Sequence, residues 1–100
     1  MNDDRLTDEL VRRVMGWRVA PGRFIKTGRS WIPRWRFQPF EDLAASLELL
    51  EHAANRFCLN GNRDTFTARV QIGDRFGTAS VGSKARTITT AICRALGMQI

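Results

Sequence analysis

The alternating run at residues 65–72 constrains the fold most. Its apolar side chains occupy every second position, at Phe66, Ala68, Val70 and Ile72, and polar side chains lie between them. Because successive side chains of a strand point to opposite faces of a sheet, this pattern predicts a half-buried antiparallel strand.

Turn signals on both sides extend this strand into a meander. Gly73-Asp74 suits a two-residue turn with glycine first, so residues 75–81 are predicted to return as the next strand. Residues 57–59 predict a strand on the other side, which Asn60-Gly61-Asn62 ends. The second half of the chain therefore predicts three antiparallel strands.

Residues 3–15 and the segment after Gly82-Ser83 predict the first and last helices. In the first, acidic residues lie early and arginines late, which complements the helix dipole, and Gly16 predicts its end. In the last, Ser83 is a favoured N-cap residue and Gly97 is predicted to end the helix.

Residues 40–56 predict a middle helix that begins after Pro39. Its apolar side chains recur at helical spacing, which predicts that one stripe faces the core: Leu43, Leu47, Leu50 and Ala54.

Residues 17–38 form a basic aromatic segment of irregular pattern, and no acidic residue occurs between Glu9 and Glu41. Pro21-Gly22 is a turn signal, so residues 19–25 are either a short hairpin or a loop. Because proline cannot donate a ladder hydrogen bond, residues 31–37 around Pro33 are either an edge strand or an extended loop.

These elements predict an α+β fold. The economical arrangement is a single antiparallel sheet of three or more strands packed with three helices, in the order helix, extended segment, helix, three strands, helix. The chain has 100 residues, which fits one domain over residues 1–100.

Charge favours an anionic partner. The net charge is +6, and 14 arginines against 2 lysines supply almost all of the basic residues. Guanidinium groups suit phosphates, carboxylates and aromatic faces.

No apolar run is long enough for a membrane span, and the acidic start is unlike a signal or transit peptide. We therefore expect a cytoplasmic protein without membrane association.

The titratable residues predict neither catalysis nor metal binding. Cys58 and Cys93 lie in apolar patterns and are predicted to be small buried side chains. His52, the single histidine, is predicted to lie on the surface of the middle helix. A structural zinc site needs about four ligands, which this pattern does not supply. We expect no enzyme activity and no cofactor.

Several short motifs resemble the phage ABA sandwich domain, a group of small phage proteins. The matching motifs run from the end of the first helix to the last helix: Met15-Gly16-Trp17, Trp31-Ile32-Pro33, Phe37-Gln38-Pro39-Phe40 and Ala91-Ile92-Cys93-Arg94-Ala95-Leu96. The basic content of residues 18–36 and the opening of the last helix, Ser83-Lys84-Ala85-Arg86, depart from that group. The resemblance implies a phage or prophage origin, action in a bacterial host, and a fold, but no activity or site.

Residues 40–98 resemble, more weakly, a double-stranded-RNA-binding domain in the order helix, three strands, helix. Such domains open their last helix with basic residues that contact phosphates. Lys84 and Arg86 match that opening, but the cluster of lysines and the Gly-Pro-x-His loop are missing.

The candidate binding residues are basic residues and tryptophans of the basic aromatic segment, together with two basic residues at the start of the last helix. They are Arg18, Arg23, Lys26, Arg29, Trp31, Arg34, Trp35, Arg36, Lys84 and Arg86. In one interpretation cations neutralise phosphates while aromatic rings stack on bases. In another the tryptophans anchor the segment to the core, with arginines over their rings. In a third they form a protein-binding hot spot.

Three functions follow from these interpretations. The first is a phage accessory protein that binds nucleic acid, DNA or RNA. The second is an inhibitor or modulator of a host protein, for example one that blocks a defence system. The third is a virion or assembly component.

Overall fold

The computed structural model describes residues 3–100, and it contains two antiparallel sheets of three strands each. The predicted α+β class is confirmed, with three α-helices. The prediction of a single sheet is wrong, because the basic aromatic segment forms a separate meander instead of adding strands to the C-terminal one.

The first helix, α1, spans Asp3–Leu10 and continues as a π-helical turn at Val11–Met15. Leu6, Leu10 and Val11 are buried on its inner side. Gly16 ends it in the left-handed conformation, φ 70°, as its position predicted.

Sheet 1 is built from the basic aromatic segment. Its strands are β1 at Arg18–Ala20, β2 at Arg23–Thr27 and β3 at Ser30–Pro33, in that spatial order. The hairpin alternative is thus confirmed. Pro33 ends β3, and a 3-10 turn follows at Arg34–Arg36.

Helix α2 spans Leu43–Ala53 and begins later than the sequence predicted. The N–H groups of Glu41 and Asp42 both bond to the Gln38 carbonyl, which makes a turn before the helix. The Asp42 carboxylate then accepts from the Ala44 N–H at 3.1 Å and caps the helix.

The predicted apolar stripe of α2 is partly wrong. Leu43 and Leu47 are 41% and 36% exposed, whereas Leu50 is buried as predicted, together with Ala45, Ser46 and Leu49. Leucine and alanine occur on both faces of this helix, so packing against the last helix and the π-helical turn after α1 selects the face that is buried.

Sheet 2 is the predicted C-terminal meander. It contains β4 at Arg56–Gly61, β5 at Phe66–Ile72 and β6 at Arg75–Ala79, with β5 in the centre. Ala68 and Val70 are buried, which confirms the inward face that the alternation predicted.

Helix α3 spans Lys84–Ala95 and packs on β5 and β6. The Ser83 hydroxyl accepts from the Arg86 N–H at 3.2 Å, so the predicted N-cap is confirmed. A buried hydrogen bond from the Thr89 hydroxyl to the Pro39 carbonyl, 2.6 Å, fastens α3 to the segment before α2.

The helices connect the two sheets. Helix α3 packs on sheet 2 and on α2, α2 packs on the π-helical turn after α1, and that turn contacts β1 of sheet 1. Each sheet therefore has one face toward the helices and one face toward solvent.

Candidate functional site

The aromatic residues of the segment divide into an inner and an outer set. Trp17, Phe24 and Phe37 are buried and touch one another. Their ring centroids are 6.4 Å apart for Trp17–Phe24, 5.1 Å for Trp17–Phe37 and 6.3 Å for Phe24–Phe37. This trio attaches sheet 1 to the core. The anchoring interpretation is therefore confirmed for Trp17 and wrong for Trp31 and Trp35, which are exposed.

Strand register places Trp31, the other aromatic residue of sheet 1, on the outward face. Phe24 lies opposite Val19 and Ile32, and these three face the core. The next row, Ile25 with Arg18 and Trp31, therefore faces solvent. Trp31 is 52% exposed.

Arg23 lies on the same outward face as Trp31, since it is two positions from Ile25 along β2. Its guanidinium carbon is 5.3 Å from the Trp31 ring centroid. At this distance the cation is attracted by the ring and both groups stay accessible.

Trp35 is the most exposed aromatic residue of the segment, at 71%. It lies in the 3-10 turn after β3, with the Arg36 guanidinium 5.9 Å from its ring centroid. The Arg34 N–H donates to the Gly22 carbonyl at 3.0 Å, which fixes this turn beside the β1–β2 connection. We call the outward set the Trp31 surface; it consists of Arg18, Arg23, Arg29, Trp31, Trp35 and Arg36.

The Arg34 side chain contacts the core and does not belong to the Trp31 surface. Its guanidinium lies 4.8 Å from the Phe24 ring centroid, and its Nη1 is 2.7 Å from the Asp8 carboxylate. Lys26 behaves similarly, because its ammonium lies 5.1 Å above the Trp17 ring. Both are half-buried cations that cover the aromatic trio.

The two cations of the last helix lie apart from the Trp31 surface. Arg86 makes a two-pronged ion pair with Asp3, at 2.5 and 3.3 Å, and lies 5.2 Å from the Phe40 ring centroid. That hydrogen bond raises the pKa of Arg86 above its ordinary value. Lys84 is exposed, with its ammonium 5.9 Å from the Phe66 ring centroid.

The cations of the Trp31 surface keep their charge available. The ion pairs within residues 3–100 include Arg13 with Glu9, Arg34 with Asp8 and Arg86 with Asp3. The arginines of the Trp31 surface have no carboxylate partner there. Their positive charge is therefore not neutralised by the protein's own acids.

Sequence reasoning missed a further exposed aromatic residue with an arginine, which lies on sheet 2. Phe76 is 54% exposed, and the Arg69 guanidinium lies 5.0 Å from its ring centroid. The signal was available, since Arg69 and Gln71 fall on the polar side of the alternating run and a tight turn places β6 against them.

The cysteines differ from each other. Cys93 is buried, as predicted, and burial raises the pKa of its thiol to about 12. Cys58 is exposed, so its predicted burial is wrong. It lies on the edge strand β4, opposite Arg69, on the face of sheet 2 that points away from α3.

The remaining titratable groups lie at the surface or apart from one another. His52 is exposed, with its Nδ1 2.9 Å from the Glu48 carbonyl. In the described part of the chain no three His, Cys, Asp or Glu side chains come together as a metal site would require. None of the helices in that part is long and apolar enough to cross a membrane.

The fold of this chain occurs among solved structures. The fold is shared with a phage protein. That protein comes from Bacillus cereus ATCC 14579 and superposes with a TM-score of 0.78 at 9% sequence identity, over 100% of this chain and 92% of its own. No protein-family model and no curated protein sequence matches the chain, so the two family resemblances stay predictions.

Proposed function

We propose that this protein binds single-stranded nucleic acid through the Trp31 surface. One observation carries the proposal: Trp31 and Trp35 are exposed, each has an arginine against its ring, and those arginines have no acid partner in the described chain. Anchoring to the core does not account for the exposed positions of Trp31 and Trp35, because the buried trio of Trp17, Phe24 and Phe37 already attaches the segment.

The chemistry favours an unpaired strand over a duplex. Aromatic side chains stack on bases only where the base faces are accessible, and arginines along the same surface neutralise the phosphates. A duplex mode through the start of α3 has less support, because Arg86 is held by Asp3 and Ser83 already caps the helix. Because the contacts are phosphates and base faces, we expect little sequence preference.

The context we propose is a phage accessory protein that acts in the bacterial host cytoplasm. Its support is the fold shared with a phage protein, together with the motifs that resemble small phage proteins. A basic accessory protein of this kind would bind exposed single strands of phage or host nucleic acid.

Charge reversal at two arginines tests the proposal. The double variant Arg23→Glu with Arg36→Glu should lose at least about 100-fold in affinity for a single-stranded homopolymer at about 50 mM salt. Its salt dependence should also become shallower, by about one unit of slope for each phosphate that the variant no longer neutralises. Fluorescence anisotropy of the labelled strand measures both quantities.

Arg63→Glu is the matched control, because Arg63 is exposed in the β4–β5 connection, away from sheet 1. It changes the net charge in the same direction and should cost far less affinity per charge. Equal losses per charge in the two variants would show diffuse attraction without a site, which contradicts the proposal. Arg34 is unsuitable for this test, since its replacement would leave Asp8 unpaired beside the core.

A host protein is the second candidate partner, and helix α2 carries the observation that favours it. Leu43 and Leu47 are exposed on a helix that also bears Glu48 and Glu51, which suits a partner with an apolar, basic surface. Capture of one host protein should then survive nuclease treatment and be lost in the variant Leu43→Ser with Leu47→Ser. Recovery of nucleic acid alone by both proteins would refute this candidate.

A further inference from the structure

The outward face of sheet 2 carries a second group of aromatic and basic side chains. Across the three strands, Arg56 lies opposite Gln71 and Gln71 opposite Phe76. The neighbouring row places Cys58 opposite Arg69. We call these five residues the Phe76 face.

None of the helices within residues 3–100 covers the Phe76 face. Helix α3 packs on the other side of the sheet, where the α-carbon of Gly77 approaches the backbone of Ala91 and Ala95. On the outward side, Arg56, Cys58, Arg69 and Phe76 are all exposed. A large aromatic side chain is thus left in water on the open face of a sheet.

A shallow groove of about 240 Å³ runs over this face and is lined by Arg56, Phe57, Cys58, Arg69, Gln71 and Phe76. None of these residues is acidic. The volume is below that of pockets that enclose a small molecule, roughly 300–1,000 Å³, so the groove suits one flat ring of a larger partner.

We propose that the Phe76 face is a second contact surface for single-stranded nucleic acid. An unpaired base stacks on the Phe76 ring, and Arg69 and Arg56 bind the flanking phosphates. Gln71 lies in the same row as Phe76; its Nε2 donates to the Gly73 carbonyl at 3.1 Å, so its side-chain carbonyl oxygen is the atom that accepts from a base edge. Since the ligand class is that of the function proposed above, this second surface rests on that function, but it involves a different sheet.

Charge and shape decide between nucleic acid and an acidic peptide as the occupant. A peptide that adds to a sheet does so at a strand edge through backbone hydrogen bonds. Here the features are side chains on the face of the sheet, whereas the unpaired backbone groups lie along the outer edges of β4 and β6. Arg69 beside the exposed Phe76 ring and Arg56 across the sheet offer stacking and phosphate neutralisation together, which a nucleotide uses and a carboxylate side chain does not.

Cys58 provides a direct reporter for this face. It is exposed, Cys93 is buried, and the chain has 2 cysteines, so a thiol reagent should label the folded protein at Cys58 alone. A strand lying across the Phe76 face must pass close to Cys58, because directly opposed residues such as Cys58 and Arg69 have Cβ atoms roughly 5 Å apart.

The experiment measures the alkylation rate of Cys58 and the tryptophan fluorescence during titration with a single-stranded homopolymer. We expect Cys58 labelling to slow in proportion to the bound fraction. We expect Phe76→Ala to weaken binding roughly 5- to 150-fold, the range for loss of one base stack. The control Arg63→Glu should retain the protection of Cys58, and circular dichroism should show that Phe76→Ala keeps its fold, since Phe76 is half exposed.

The two readouts separate the two surfaces. Tryptophan quenching with an unchanged Cys58 labelling rate would overturn the Phe76 proposal and leave the Trp31 surface standing. Protection of Cys58 without quenching would support the Phe76 face and contradict the Trp31 surface. Equal protection by polyglutamate of matched charge would overturn base stacking at Phe76, and absence of binding would overturn both proposals.

Discussion

Replacing Gly77 with alanine should lower the free energy of unfolding by about 3 kcal/mol or more, at the upper end of overpacking effects. A Cβ atom at this position would lie 2.0 Å from the Ala91 carbonyl oxygen and 2.4 Å from the Ala95 nitrogen. Both are backbone atoms of α3, so the helix itself must move away from sheet 2. Chemical denaturation followed by circular dichroism measures the loss.

Gly61→Ala is the matched control. Gly61 also lies in sheet 2, but a Cβ there would meet its neighbours at 3.6 Å, an ordinary contact. Its effect should stay within about 1 kcal/mol, and the alanine could stabilise the protein by restricting the unfolded chain. Similar effects of the two substitutions would contradict the close packing of α3 on β6.

Phe24→Ala should destabilise the protein by about 3–5 kcal/mol, the usual cost of removing a buried phenylalanine. Its side chain is fully buried between Trp17 and Phe37, and the Arg34 guanidinium covers it. The loss would leave a cavity where sheet 1 joins the core. A typical domain has only about 5–15 kcal/mol of stability, so a thermal melt should show a clear drop.

Trp35→Ala is the control from the same segment. Trp35 is 71% exposed, so its removal should change the free energy of unfolding by no more than about 0.5 kcal/mol. The pair separates the anchoring residues of the segment from those available to a partner. A large destabilisation by Trp35→Ala would mean that this ring is part of the core, and the Trp31 surface would lose half of its aromatic residues.

Local chemistry made several elements predictable from the sequence. The alternation at residues 66–72, the glycine turn after it, the Ser83 cap and the Gly16 stop each depend on side chains close together along the chain. Such signals do not need tertiary context. The order of the three helices and the C-terminal strands, and the α+β class, followed from them.

Burial in the basic aromatic segment could not be predicted, because it depends on strand register. Trp31 and Phe24 are both large aromatic residues in an arginine-rich stretch, yet the pairing of β2 with β3 sends one outward and the other inward. The number of sheets was predicted wrongly for the same reason, because Pro33 and the short strands give no clear sequence signal of how β1, β2 and β3 pair.

Ion pairs between distant segments also escaped sequence reasoning. The sequence around Arg34 and Arg86 does not distinguish them from Arg23 and Arg36. In the fold, however, α1 places Asp8 beside Arg34 and Asp3 beside Arg86. The burial of Cys58 was predicted wrongly because the sequence of an edge strand does not show which of its side chains point toward the core. In each case a neighbour remote in sequence decided the outcome.

The most direct test of nucleic-acid binding is a titration of the protein with labelled single-stranded DNA and RNA, with tryptophan fluorescence recorded across salt concentrations. We expect binding that quenches the fluorescence of Trp31 and Trp35. If about 4–6 phosphates are neutralised, the affinity should fall roughly 50- to 300-fold between about 50 and 200 mM salt. Absence of binding at about 50 mM salt, or binding that leaves the tryptophan fluorescence unchanged, would contradict the proposed function.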